Sequence, residues 1–258
     1  ALLTGSKNAL KGLGFFLGGA LLTALGFTLA VGVMAAVLLA VWVFSLLVLR
    51  RDLGKSTAKP KFRHLFSKSR SINLLSAARL FLFAARDVWF VVALPVYLSS
   101  QLGWAYHSVG AFLALWVIGY GIVQSLAPRF TGPGAGHAPD GRAAMPWALP
   151  LAVVPLVIAA AMAGGVSPQA SLLPGLLLFG VLFAVNSALH SYLIVSYARD
   201  DGVSLDVGFY YMANAMGRLL GTLLSGWVFQ TQGILWCLLI SGLFIAVAAV
   251  ISAALPRH

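Results

Sequence analysis

The chain contains no glutamate, so its six acidic residues are all aspartates, and Cys237 is its single cysteine. Paired glutamates for acid–base work are therefore absent, and neither an internal disulfide nor a multi-cysteine metal site can be assembled. Charged residues are scarce at 9%, where an ordinary soluble domain has about 25%. No GxSxG elbow and no Cys/His metal spacing occurs. The Gly132, Gly134 and Gly136 run lacks the Lys-Ser/Thr that completes a phosphate loop, and reads as a flexible turn. Nothing selects a catalytic residue, a metal ligand or a cofactor, and the chain is not read as an enzyme. It opens Ala1-Leu2-Leu3 with no visible signal peptide, as the C-terminal part of a longer protein would.

What is present is apolar. Hydrophobic residues make up 60% of the 258 positions, and the mean hydropathy is +0.95. Eight runs long enough to span a bilayer are expected at about 9–28, 30–49, 72–100, 108–128, 146–164, 172–198, 207–229 and 234–255. Continuous runs of this length favour helices over barrel strands, which alternate every second residue. The predicted fold class is an all-α, polytopic membrane helix bundle.

Lysine and arginine placement sets the expected topology. The segment 50–71 carries Arg50, Arg51, Lys55, Lys59, Lys61, Arg63, Lys68 and Arg70 and is placed in the cytoplasm. Alternating the spans then brings Lys7, Lys11, Arg129, Arg142, Arg199 and Arg257 to the same side. The opposite links, near 29, 101–107, 165–171 and 230–233, hold no Lys or Arg. The expected location is the cell inner (plasma) membrane, crossed many times, with segment 50–71 and the C-terminus cytoplasmic. The net charge of +11 thus reads as a topology signal and not as a nucleic-acid surface. Residues 50–71 also divide the chain into a two-helix part, 1–49, and a six-helix part, 72–258. The second, fifth and eighth spans are nearly free of polar groups, which suits outer helices of three-helix repeats.

Charges inside the spans point to function, because an ionised group at bilayer depth normally faces a bundle interior or a watery cavity. Arg79 and Arg86 are seven residues apart and share a helix face. Arg79 lies about 10 Å from the cytoplasmic end and is read as snorkelling to headgroups. Arg86 lies deeper. Asp87 has two readings, a counter-ion to an arginine or a carrier for a driving proton. Pro95 would break the same helix.

In the seventh span Tyr211, Asn214, Arg218 and Ser225 form a stripe, with Gly217 and Gly221 as a close-packing pair. Arg218 is a candidate for binding an anionic cargo. Asn186 and His190, one turn apart in the sixth span, are candidates for substrate contact, and His190 also for proton relay. Trp116, Tyr120 and Gln124 recur every fourth residue, either as a cavity wall or as ordinary packing. The substrate-binding candidates are therefore Arg86, Arg218, Asn186, His190, Tyr211 and Asn214. Asp87 and His190 are the candidates for proton coupling. The expected partners are a small anionic organic substrate and the lipid bilayer.

The two-plus-six division resembles the last eight helices of a twelve-helix major facilitator superfamily transporter. Within it, LTGSKNALKGLGFFLGGALLT at 3–23, the 59–98 segment containing SAARLFLFAARDVWF, and FLALWVIGYGIVQSLAPR at 112–129 are similar to the ArsJ-type organoarsenical efflux permeases. VNSALHSYLIVSYA at 185–198 and VGFYYMANAMGRLLGTLLSG at 207–226 continue the similarity. The superfamily's Gly-Asp-Arg-Gly-Arg-like cytoplasmic motif is represented only by Asp140, Gly141 and Arg142. The resemblance implies export of 1-arseno-3-phosphoglycerate, arsenate resistance, and a functional link to a glyceraldehyde-phosphate dehydrogenase. Arginine forks suit the oxygens of such a cargo. Another organic anion carried by the same fold, a membrane-embedded lipid enzyme and a non-transporting scaffold are the competing readings.

Overall fold

The computed structural model describes residues 2–48, 69–131, 141–198 and 203–256. Among the described residues all regular structure is helical. The helices are α1 Leu2–Val48, α2 Arg70–Phe90, α3 Ala93–Ser100, α4 Tyr106–Leu126 and α5 Pro128–Thr131. They continue as α6 Ala144–Ala163, α7 Pro168–Tyr197, α8 Val203–Gln232 and α9 Ile234–Ala253.

Six segments are long and apolar enough to cross a membrane: Leu10–Val48, Arg70–Ser100, Tyr106–Thr131, Ala144–Ala163, Pro168–Tyr197 and Ile234–Ala253. With 30 residues, the more polar α8 has the length to be a seventh. The described residues are thus all-helical in their regular structure, and the chain is a multi-pass membrane protein. The expected spans 9–28 and 30–49 fall in one helical segment, interrupted at Gly26, whose φ of 70° and ψ of 175° leave the helical region. Glycine takes that conformation without a Cβ clash, so the interruption falls there and not at residue 29. A straight helix of the length of Leu10–Val48 would reach about 58 Å, nearly twice a hydrocarbon core.

Between apolar helices in lipid there is little hydrophobic drive, so close packing and hydrogen bonds must hold the bundle. α2 lies at its centre, against α7, α8 and α9, while α4 packs between α1 and α7. The α1–α4 contact is close at Gly19 and Gly110, where an added Cβ on Gly19 would sit 2.8 Å from the Tyr106 carbonyl oxygen. An aromatic cluster fills the middle. Trp89 meets Phe179 edge-on at 5.1 Å, and Phe90 meets Trp116 at 4.7 Å. The Trp116 indole N–H donates to the Leu176 carbonyl at 2.8 Å, which removes the cost of burying it.

The helices expected at the periphery do expose apolar side chains. Residues 31–48 are exposed almost throughout, and α6 turns Leu149, Val153, Leu156 and Val157 outward. α9 is also exposed on one side, yet packs on both α2 and α6 and buries Cys237, Leu238 and Ile245. The basic segment 50–71 lies outside the described residues as far as 68, and its last two residues begin α2. The glycine run 132–136 and Asp140 lie outside them too, while Gly141 opens a single 3₁₀ turn ahead of α6.

Candidate functional site: an arginine-lined cavity

Two residues set the close approach of α2 and α8. A Cβ on Gly217 would collide with the Leu80 backbone, and one on Gly221 would sit 2.7 Å from the Ala84 oxygen and 2.9 Å from Asp87 Cβ. With hydrogen in place of a side chain at both positions, the helices touch, and Asp87 stands directly in their seam.

The carboxylate of Asp87 is fully buried and joins two guanidinium groups. Arg86 pairs with this next residue on its own helix, with Nε 2.6 Å and Nη2 2.5 Å from Oδ1. Arg218, from α8, places Nε 3.1 Å from Oδ2. Two cations against one anion leave a net positive charge within an apolar bundle. Arg86 is only 12% exposed and Arg218 47%. The Arg86 guanidinium also lies 4.8 Å from the Phe83 ring centroid and 5.4 Å from that of Phe183, contacts that partly replace lost hydration.

Beside this trio is a cavity of about 410 Å³. Arg86, Asp87 and Arg218 form one wall, Trp116 and Tyr120 of α4 another, and Lys11 and Phe15 of α1 a third. Three basic side chains thus face it against one acidic, alongside aromatic surface. Such a lining suits a small anion with an apolar or hydroxylated body. Lys11, read from the sequence as a topology signal, therefore lines the cavity.

The rim of the cavity is a broken helix. Pro95 has no N–H for the Val91 carbonyl, and its ring crowds that oxygen. The helix consequently breaks at Val91–Val92, between α2 and α3. α8 repairs the break: Ser225 Oγ accepts from Val92 N at 3.3 Å and Ala93 N at 3.0 Å. Ser225→Ala should lower stability by about 1–2 kcal/mol, because two N–H groups lose their acceptor. Thermal unfolding of the detergent-purified protein, followed by dye labelling of the buried Cys237 thiol, measures it. An unchanged midpoint would show that the bond contributes nothing.

The remaining sequence candidates are distributed unevenly. Asn186 is turned to α6, where Nδ2 donates to the Ala144 carbonyl at 2.8 Å, and its Oδ1 is buried without a partner. His190 is buried and its Nδ1 has no partner. Tyr211 is 59% exposed, edge-on to Tyr210 and away from the cavity lining. Asn214 Oδ1 accepts from Arg79 Nε at 3.3 Å. Trp116 and Tyr120 are cavity wall, and Tyr120 and Gln124 also bond Ser187 Oγ at 3.2 and 3.3 Å.

Arg79 corrects its sequence reading. It does not snorkel: it is 5% exposed and held inside the bundle by Ser187 and Asn214. The signal that finds it is its shared face with Arg86, which outweighs its shallow depth. Among the described residues no three His, Cys or Asp side chains gather as a metal site. No protein-family profile matches this chain, and no curated protein matches it.

Proposed function

We propose that the chain belongs to a secondary transporter that exports a small organic anion through the membrane. The observation that carries this is the cavity beside Arg86, Asp87 and Arg218, in an apolar helical bundle where an ionised group without a task is a burden. In this reading Arg86 and Arg218 attract the anion, Tyr120 and Trp116 shape its seat, and Asp87 holds the guanidinium groups in register. Asn214 acts indirectly through Arg79. Asn186 and Tyr211 do not face the cavity and take no cargo contact. His190, buried and outside the cavity lining, and Asp87, on its wall, remain the candidates for moving a proton.

The finer proposal is a major facilitator superfamily carrier of the ArsJ type, in the inner membrane, exporting 1-arseno-3-phosphoglycerate made by a partner dehydrogenase. Its support is the run of similar strings at 3–23, 59–98, 112–129, 185–198 and 207–226, and arginine chemistry suited to such a cargo. The mechanism is alternating access, two helical halves rocking about a midplane site.

Arg218→Gln in the intact protein should cut arsenic export at least about tenfold, the loss expected for one charge-assisted contact. Whole-cell arsenic retention, at matched protein levels, measures it. Undiminished export removes Arg218 from the site. Resistance that does not depend on the dehydrogenase favours a carrier of another organic anion.

A further inference from the structure

Glycine weakens a helix relative to alanine, so a glycine inside a span carries a cost that some other gain must offset. α1 holds four of them within residues 12–19, and they divide by what surrounds them. Gly12 and Gly19 are buried against α4. An added Cβ would lie 2.6 Å from Ile118 Cγ1 at the first and 2.8 Å from the Tyr106 carbonyl oxygen at the second. Close helix contact accounts for both. Gly14 has no such neighbour: a Cβ built on it meets no described atom within 4 Å. Gly14 nevertheless lines the cavity, on one face of α1 with Lys11 and Phe15. Gly18, one turn further, is equally open and takes no part in the lining.

The cavity is charged at one end and apolar at the other. Arg86, Asp87 and Arg218 gather at the charged end. One helical turn beyond Arg86 the lining becomes apolar, at Phe90 and Val91. Phe90 joins the three walls there. Its ring meets Phe15 of α1 edge-on at 5.9 Å and Trp116 of α4 at 4.7 Å. Gly14 immediately precedes Phe15, so the space left by its missing side chain adjoins this group of rings, and no atom of the ion pairs lies within 4 Å of it. An anion held by the guanidinium groups would extend its other end toward that space.

We infer that Gly14 sets how bulky a cargo the cavity admits, by leaving room beside Phe15, Phe90 and Trp116 for the uncharged end of the anion. This rests on the anion-carrier reading of the cavity. A side chain at position 14 occupies that room without disturbing the α1–α4 contact. Small anions still reach Arg86 and Arg218, and larger ones are turned away.

The test is binding to the purified intact protein in nanodiscs, by calorimetry. The probes are methylphosphonate and phenylphosphonate, which share one anionic head and differ in body. The wild type should bind both. Gly14→Leu should weaken phenylphosphonate by at least about tenfold and leave methylphosphonate within about twofold. Gly14→Ala adds a single carbon and should give a smaller loss of the same kind, which keeps the test decisive if the leucine variant does not fold. Gly18→Leu should alter neither probe. Arg218→Gln should weaken both, by at least about tenfold. If the position 14 variants change both probes alike, or neither, Gly14 does not set the size limit and the cavity reading stands. A wild type that takes only methylphosphonate has no such room, and overturns the inference in the same way. Binding of neither probe by the wild type, or binding that Arg218→Gln leaves unchanged, overturns the cavity reading and this inference with it.

Discussion

Asp87→Ala should destabilise the protein by about 3–5 kcal/mol, the usual cost of removing one partner from a buried ion pair. The reason is specific to this seam. Both carboxylate oxygens are engaged by guanidinium groups, and Arg86 is nearly enclosed, so it cannot simply turn to water, whereas the half-exposed Arg218 can. A small cavity adds to the loss. The same labelling assay on Cys237, the single cysteine and fully buried, measures the shift in midpoint. Combining Asp87→Ala with Arg86→Met should restore much of the stability, because the stranded charge goes with its partner. This separates the two readings of Asp87. A counter-ion gives a large loss that the second substitution relieves. A proton carrier with no structural task gives little loss of stability and a carrier that no longer responds to a pH gradient.

Gly221→Val is the second large effect, with an expected loss of about 3 kcal/mol or more. Even a methyl group there meets the Ala84 oxygen and Asp87 Cβ, and backbone cannot rotate away as a flexible side chain would. The helices must separate, which draws Arg218 away from Asp87. Unfolding by the thiol assay should therefore show a lowered midpoint, and export should fall with it. By contrast, Gly18→Ala adds its Cβ where nothing lies within 4 Å, and should be nearly silent. If Gly221→Val were as silent as Gly18→Ala, the proposed α2–α8 contact would be wrong.

Much of this arrangement was legible in the sequence, and the reasons for the rest are physical. Arg86 and Arg218 were found because ionised groups deep in apolar runs have few explanations. Pro95 announced the broken helix, and the break lies four residues earlier because the proline ring crowds the carbonyl at that distance. The stripe from Tyr211 to Ser225 reads as one face in the sequence, which does not show that its members meet different neighbours. Its ends are about 21 Å apart along the helix and meet different neighbours. Asn214 meets Arg79, Arg218 meets Asp87, Ser225 meets the break, and Tyr211 meets no cavity.

Depth misled for Arg79, since distance from a helix end says nothing about which face a side chain takes. Asn186 was out of reach for a different reason: its partner is a backbone oxygen on α6, and no side-chain pattern reports that. The interruption at Gly26 was equally hidden, as one glycine among 27, most of them compatible with a helix.

The bond from Ser225 to the Val92 and Ala93 amides ties hydration to movement. Swinging α3 away from α8 strips two amides of their shared acceptor. In a dry seam each would then stand unmet, at about 1–3 kcal/mol. Once solvent has entered, a water molecule replaces the serine hydroxyl and the swing becomes nearly free. In the carrier reading proposed above, entry of water at this seam and displacement of α3 are thus coupled.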